Sequence, residues 1–124
     1  MAHAEYAACI EACNDCAVAC DHCAGACLAE IDVKLMSWCI ELNIDCAGIC
    51  RLLPSYMARD SGFAPQLCQL CAEVCEACAE VCAMCPQEHC QDCAAACRHC
   101  ADECRRMPGS AVAPRHRTSI PGTH

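Results

Sequence analysis

Aromatic residues are nearly absent from this sequence of 124 residues, which contains 1 Trp, 2 Tyr and 1 Phe. A domain of this length normally fills its interior with large side chains, because these bury the most apolar surface. Here Ala and Cys supply most of the apolar residues, and Cys alone occupies 20 positions. The interior must therefore be built from small side chains, many of which carry a thiol.

Positive charge is also scarce, because 8 Lys and Arg stand against 16 Asp and Glu, for a formal net charge of −8. No basic stripe is present to meet phosphate groups, so we expect no nucleic-acid partner. No apolar run is long enough to span a bilayer, so we expect no membrane association. The opening MAHAEYAACIEAC lacks the regions of a secretory signal. We therefore expect a cytoplasmic protein whose thiols stay reduced.

The cysteines fall into four segments, in which gaps of three and four residues alternate. We place these segments at about residues 4–29, 33–53, 64–85 and 87–107. Pro54, the stretch RDSGFAP at residues 59–65, and Pro86 separate them. Pro86 is expected in the first turn of the fourth helix, and Asp60 or Ser61 at the start of the third. Residues 108–124 have no periodic apolar face, and we predict that they form a flexible tail.

Each segment has the pattern of an amphipathic helix whose buried stripe is made of thiols. The residues between the cysteines are mostly good helix formers such as Ala, Glu, Gln and Leu. Alternating steps of three and four residues keep the cysteines on one face of a helix. Short links between four such helices predict an all-α protein. Its expected architecture is an antiparallel, up-down-up-down four-helix bundle over residues 1–107, with a Cys-lined core.

Two structural explanations for the cysteines compete with metal binding. Free Cys can pack as a small hydrophobic residue, but Leu or Ile would bury more area at the same positions. Neighbours at i and i+4 lie about 5–6 Å apart at Cβ, whereas a disulfide needs ~3.8 Å. Disulfides within a helix would therefore distort it, although bridges between helices could form on oxidation. We favour metal binding over both explanations.

The sequence contains eight CxxxC units, each of which presents two sulfur atoms on one turn of a helix: Cys9/Cys13, Cys16/Cys20, Cys23/Cys27, Cys46/Cys50, Cys71/Cys75, Cys78/Cys82, Cys93/Cys97 and Cys100/Cys104. Zinc and iron–sulfur clusters need sets of four ligands, usually on loops and turns. Copper(I) is soft, prefers thiolate and accepts two or three ligands, so it fits this spacing best. A zinc-binding detoxification protein and an iron–sulfur redox carrier are the alternatives.

The balance of charge in such a buried core predicts how many metal ions it can hold. Buried thiols stay neutral, and each bound cation displaces protons. One Cu(I) per thiolate leaves the core uncharged, so we predict storage of many ions, approaching one per Cys. The sequence shows no Ser/His/Asp set, carboxylate pair or phosphate loop, and we expect no enzyme.

The predicted ligands include donors beyond the thiols. They are Met36 and His89 together with Cys9, Cys13, Cys16, Cys20, Cys23, Cys27, Cys39, Cys46, Cys50, Cys68, Cys71, Cys75, Cys78, Cys82, Cys85, Cys90, Cys93, Cys97, Cys100 and Cys104. Met36 is on the stripe one turn before Cys39, and His89 is beside Cys90. The alternatives without metal binding are that Met36 fills the core and that His89 is an exposed residue at a helix start.

The two ends of the predicted bundle differ in chemistry. Soft and nitrogen donors gather at one end: Cys27, Met36, Cys39, Met84, Cys85, His89 and Cys90. Bulky residues gather at the other: Tyr6, Cys9, Leu53, Met57, Phe63, Leu67, Cys104 and Met107. We predict that copper enters at the first end. His22 and His99 lie off the stripes, so surface positions are predicted for both.

Asn43 interrupts the rhythm of the second segment between Cys39 and Cys46. An amide is a poor ligand for Cu(I), so we predict a polar residue that faces the core and lines it. The second segment also holds most of the large apolar residues: Ile40, Leu42, Ile44, Ile49, Leu52 and Leu53. Those off the Cys stripe are candidates for an outer face that meets another subunit.

The repeated CxxxC units, the stretch CAMCPQEHCQDC at residues 82–93 and the missing export signal resemble the cytosolic members of the bacterial copper-storage proteins. These proteins are four-helix bundles lined with Cys, and the resemblance covers about residues 4–107. It implies many Cu(I) ions inside each bundle and a homotetramer of bundles. Secreted relatives carry an export signal, so the resemblance implies the cytosolic branch. It leaves the donor or acceptor of the copper unidentified.

Overall fold

Four α-helices make up the part of the chain that the structure describes. The structure is a computed structural model, which describes the backbone of residues 2–107 and the side chains of residues 5–107. The helices are α1 (Ala2–Leu28), α2 (Ser37–Ala58), α3 (Ala64–Ala83) and α4 (Glu88–Arg106), and a 3₁₀ turn over Val33–Met36 leads into α2. The predicted tail, residues 108–124, lies outside the described residues.

Each helix packs against the next, and α1 also packs against α4, so the four helices close into a ring. The links between them cover only residues 29–36, 59–63 and 84–87. Links this short place consecutive helices antiparallel, and the predicted four-helix bundle is confirmed. None of the helices in residues 2–107 combines the length and apolarity needed to cross a membrane.

Cysteine and alanine form most of the interior. The buried alanines are Ala12, Ala17, Ala24, Ala47, Ala64, Ala72, Ala79, Ala94 and Ala101. Most of them directly precede or follow a buried Cys, so they lie at the edges of the inward stripe, where neighbouring helices meet. The largest side chains that are fully buried are Leu53, Met57 and Asn43. The scarcity of large residues in the sequence therefore appears in the structure as a core of small side chains.

The outside of the bundle carries charged side chains, some of them paired between helices. Asp21 of α1 pairs with Arg51 of α2, and Glu76 of α3 pairs with Arg105 of α4. Each of these four side chains is 41–54% exposed. Exposed ion pairs contribute about 1 kcal/mol or less each, so burial in the core contributes most of the stability.

The prediction that Pro54 ends the second helix is wrong, because α2 continues through Pro54 to Ala58. Proline inside a helix removes one hydrogen bond and costs about 3 kcal/mol. The extra turn places Leu53 and Met57 four residues apart on the inner face, and both are completely buried. Burying two such side chains contributes about 1.5–3 kcal/mol each, which offsets the cost of the proline.

The prediction that Asp60 or Ser61 begins the third helix is also wrong, because both residues close the end of α2. The N–H of Ser61 donates to the carbonyl of Tyr56 across 2.9 Å, and the N–H of Asp60 donates to Met57 across 3.0 Å. This pair of bonds is the Schellman motif, which needs a left-handed residue after the helix. Asp60 supplies it with φ 53°, and Asp tolerates that conformation better than most residues.

Pro86 precedes the fourth helix instead of occupying its first turn. α4 begins at Glu88, after an extended Gln87. The side chain of Gln91 reaches back, and its Nε2 donates to the carbonyl of Ala83 across 3.0 Å and of Cys85 across 2.6 Å. Carbonyls at a helix C-terminus lack partners within their own helix. Gln91 thus closes the turn between α3 and α4, and Pro86 belongs to that turn.

Candidate metal centre

A column of thiols runs through the middle of the bundle. Every cysteine is free, and all except the partly exposed Cys85 are buried. The alternation of three and four residues directs the stripes of all four helices towards the same axis. At one end Sγ of Cys9 lies 3.6 Å from Sγ of Cys104, and at the other Cys27 lies 3.8 Å from Cys90.

The sulfur atoms lie close together both within a helix and between helices. In the CxxxC unit Cys23/Cys27 the two Sγ atoms are 3.8 Å apart. Between α2 and α3, the distance is 3.5 Å for Cys46 and Cys75. Other pairs between helices at 3.6 or 3.7 Å include Cys20–Cys97, Cys16–Cys46, Cys16–Cys97 and Cys13–Cys100. A cation placed in this column therefore meets thiols from several helices at once.

Sets of four sulfur atoms, all within 4.8 Å of one another, recur along the core. They include Cys13/Cys71/Cys100/Cys104, Cys16/Cys46/Cys50/Cys75, Cys16/Cys20/Cys46/Cys97, Cys20/Cys78/Cys93/Cys97 and Cys23/Cys27/Cys39/Cys90. Neighbouring sets share members, since each of four residues belongs to two sets: Cys16, Cys20, Cys46 and Cys97. Closed structural zinc sites usually take four ligands for each ion. Shared thiols instead suit a cluster in which thiolates bridge adjacent ions.

Asn43 is completely buried inside the column, where the sequence predicted a polar residue that lines the core. Its Oδ1 accepts hydrogen bonds from the thiols of Cys78, Cys93 and Cys82, at 3.2, 3.3 and 3.5 Å. Its Nδ2 donates to Sγ of Cys39 across 3.7 Å. The amide therefore stands among the thiols of three helices, at the position where the rhythm of α2 would place a sulfur atom.

One end of the column, which we call the mouth, is formed by Cys23, Cys27, Cys90 and His89. Nδ1 of His89 lies 3.6 Å from Sγ of Cys23 and of Cys90, and 3.8 Å from Sγ of Cys27. Its other ring nitrogen, Nε2, lies 3.3 Å from Oε2 of Glu30. The His89 side chain is 15% exposed, so the imidazole lies between the thiols and solvent.

Burial keeps several thiols near the mouth protonated. Loss of hydration, together with the charge at Cys23, raises the pKa of Cys27 to about 12. The same two causes raise the pKa of Cys90. Burial, followed by the charge at Cys39, raises the pKa of the Cys85 thiol. An ion bound by these groups must displace their protons, so metal binding there releases protons to solution.

Cys23 differs from its neighbours. Hydrogen bonds with Cys39 and then Cys82 lower the pKa of Cys23 to about 5. The hydrogen bond with Cys23 is the largest cause that raises the pKa of His89, burial opposes it, and the contact with Glu30 adds to it. Cys23 is therefore the most acidic of the three thiols that surround Nδ1 of His89.

Comparison with known proteins identifies this arrangement. A family model described as "Copper storage protein" matches residues 2–109. The chain belongs to the copper storage protein family. The match covers all four helices, and therefore every cysteine in the column.

Solved structures of this family superpose closely on the bundle. The Cu(I)-bound copper storage protein BsCsp3 is 48% identical, with a TM-score of 0.79 over 82% of this chain and 95% of that chain. A cytosolic copper storage protein from Streptomyces lividans, solved with five coppers, is 39% identical, with a TM-score of 0.80 over 84% of this chain and 92% of that chain.

A curated relative, the uncharacterised cysteine-rich protein YhjQ of Bacillus subtilis (strain 168), is 49% identical over 66 residues. The matched stretch makes up 53% of this chain and 61% of that protein. The chain thus matches less than two thirds of this curated relative's length. Its similarity to the solved members of the copper storage family extends further along both chains.

The donors predicted beyond the thiols occupy different environments. Met36 is buried, directly before α2 and three residues from Cys39. Met84, which was grouped with the donors at this end, is 73% exposed and follows the last residue of α3. His22 and His99 are both exposed, as predicted.

Sequence reasoning missed Glu30, which contacts His89 at the mouth. A signal was present, because Glu30 stands three residues after Cys27 and so continues the stripe of α1 by one more step. The residue lies beyond the end of α1, however, where helical spacing no longer fixes direction. Only the packing of α1 against α4 brings its carboxylate to the imidazole.

The opposite end of the column is closed by large side chains. Tyr6, Leu53 and Met57 are buried there, as the sequence predicted. Leu67 and Met107, from the same predicted group, are partly buried against the core. Phe63, also from that group, directly precedes α3, is 55% exposed and lines an open surface groove with Tyr56 and Leu70.

Proposed function

We propose that this protein stores many Cu(I) ions in the thiol column, with all twenty cysteines as ligands and with Met36 and His89 as additional donors. The sharing of Cys16, Cys20, Cys46 and Cys97 between overlapping sets of four thiols carries this proposal. Bridging thiolates let adjacent sites use the same sulfur atoms. The Cu(I)-bound structure of BsCsp3, which shares the fold at 48% identity, supports the choice of metal.

The capacity we propose approaches one ion for each cysteine. The column is buried, so any excess charge inside it would be costly. Each Cu(I) that displaces one proton from a thiol leaves the core neutral. Uptake can then continue along the column without accumulating charge, which is the property a store needs.

Overlapping thiol sets weigh against the zinc and iron–sulfur alternatives. A tetrahedral zinc ion would fit any one set of four sulfur atoms, but the overlapping sets supply fewer than four thiols for each site, whereas closed zinc sites use four ligands. Iron–sulfur clusters also use four thiolates each. Copper(I) accepts two or three soft ligands and tolerates the sharing.

The same proposal covers the cellular location, the catalytic activity and the oligomeric state of the protein. We propose a cytoplasmic protein, because the Streptomyces lividans relative is described as cytosolic. We propose no catalytic step, since the family model that matches the chain describes a storage protein. We also propose a homotetramer, which would cover exposed apolar side chains on α1 and α2 that include Val18, Trp38, Ile44 and Leu52. The partner that donates or receives copper stays unidentified.

An anaerobic titration tests the proposed capacity. Reduced apo protein is mixed with increasing Cu(I) against a colorimetric chelator, and we expect saturation near one ion per Cys. Saturation at four ions or fewer contradicts storage. A double variant, Cys16→Ser with Cys20→Ser, removes two shared thiols and should lower the capacity by about two ions. The matched control, Ser37→Ala with Ser55→Ala, alters exposed residues and should leave it unchanged.

A further inference from the structure

Glu30 and His89 form a contact that joins two distant parts of the chain across the mouth. Glu30 lies in the link after α1, whereas His89 lies in the first turn of α4. Their Oε2 and Nε2 atoms are 3.3 Å apart. The two side chains are 35% and 15% exposed, respectively, so the contact is shielded from bulk solvent on the His89 side.

The backbone holds Glu30 in place relative to the thiols. Its N–H donates to the carbonyl of Cys27 across 3.1 Å, in a turn that continues from the last residues of α1. Cys27 is itself one of the three cysteines whose sulfur atoms surround Nδ1 of His89. The carboxylate and a thiol of the mouth are therefore anchored to the same short segment, on opposite sides of the imidazole.

This geometry determines which ring nitrogen is free to bind a cation. A neutral imidazole carries a hydrogen on one nitrogen and a lone pair on the other. A carboxylate accepts a hydrogen bond, so it retains the hydrogen on Nε2. The lone pair then belongs to Nδ1, which points at the sulfur atoms of Cys23, Cys27 and Cys90. Carboxylates that hold a metal-binding imidazole in this way are common in other metal sites.

We propose that Glu30 is a positioning residue for copper transfer, which holds His89 with its Nδ1 lone pair directed at the thiols of the mouth. The inference rests on the proposed storage function, because it assigns Glu30 a part in loading the column. Glu30 itself does not contact the ion in this proposal. Its effect is on the first ions that pass the mouth, and the capacity of the column beyond it is unaffected.

Two measurements on the full-length protein test the proposal. The first is long-range ¹H–¹⁵N NMR of the histidine side chains in reduced apo protein, at alkaline pH where the ring is neutral. The second is the rate at which the first Cu(I) equivalents move from a coloured chelator to the protein. Both are made on the wild type, on Glu30→Ala and on Glu30→Gln, whose amide oxygen can still accept a hydrogen bond. Glu41→Ala, which alters an exposed glutamate on α2, is the control.

We expect wild-type His89 to carry its hydrogen on Nε2, and we expect Glu30→Ala to lose this preference. The variant should also slow the transfer of the first Cu(I) equivalents by about tenfold, which is the lower end of the effect of outer-shell substitutions at metal sites. Glu30→Gln should recover part of both signals, and Glu41→Ala should match the wild type. A hydrogen on Nδ1 in the wild type, or a Glu30→Ala variant that behaves as Glu41→Ala does, overturns the proposal. Low copper capacity in the wild type would instead overturn the storage function, whatever the NMR shows.

Discussion

The thiol of Cys78 donates a hydrogen bond to Oδ1 of Asn43 across 3.2 Å, inside a column otherwise lined by sulfur. The same oxygen accepts from Cys82 and Cys93, so one amide holds thiols of α3 and α4 in fixed positions. An amide binds Cu(I) poorly, and Asn43 therefore occupies a place on the stripe of α2 that a further ligand could take.

Asn43→Cys should raise the copper capacity by about one ion, because it adds a thiol at a position surrounded by other thiols. Asn43→Leu, which has a similar size and no donor atom, should leave the capacity unchanged. Anaerobic titration of both variants beside the wild type measures the difference. If the Cys variant gains nothing, the number of thiols does not set the capacity.

The closed end allows a comparison between adjacent leucines. Leu53 is fully buried against the core, whereas Leu52 is 47% exposed. Leu53→Ala leaves a cavity and should lower the free energy of unfolding of the apo protein by about 2–5 kcal/mol. Leu52→Ala should lower it by less than about 1 kcal/mol, since it removes little buried surface. Chemical denaturation of the reduced protein compares the two, and equal losses would contradict the position of Leu53.

Alkaline pH should destabilise the apo protein. In the unfolded chain a thiol ionises near its ordinary pKa of 9.0, but burial, with the charge at Cys23, raises the pKa of Cys27 to about 12 in the fold. The folded state therefore retains a proton that the unfolded state releases. Its contribution to stability is complete below pH 9 and declines as the pH rises towards 12.

Thermal unfolding of reduced apo protein between pH 7 and pH 11 measures this decline. Cys27→Ser should show a shallower one, because a hydroxyl does not ionise in that range. The melting temperature of copper-loaded protein should also depend less on pH, since the metal has already displaced thiol protons. A melting temperature that stays constant to pH 11 in the apo wild type would contradict the raised thiol pKa.

The architecture could be predicted from the sequence because one pattern determines both the local and the global structure. Steps of three and four residues between cysteines define the buried face of each helix. Four such faces can only be buried together, which gives the bundle and the column. The burial of Asn43 followed from the same spacing, since it stands four residues after Cys39 on that face.

The helix ends could not be predicted in this way, because tertiary packing overrides local rules there. Pro54 would end an isolated helix, but the burial of Leu53 and Met57 favours another turn. Asp60 is of a residue type that is favoured at a helix start, yet here its positive φ lets it close the end of α2. The contact between Glu30 and His89 depends on how α1 and α4 pack, and spacing along the chain does not contain that information.

A core of Cys and Ala has little side-chain freedom to lose when it is filled, since Ala has no rotamers and Cys turns about a single torsion. We therefore expect the helices to keep their arrangement when ions bind, and the charged outer surface to stay the same. On the proposed storage function, a protein that exchanges copper with the column would then find no signal of occupancy along the sides of the bundle. Such a signal would come from the mouth, where His89 contacts both the thiols and Glu30.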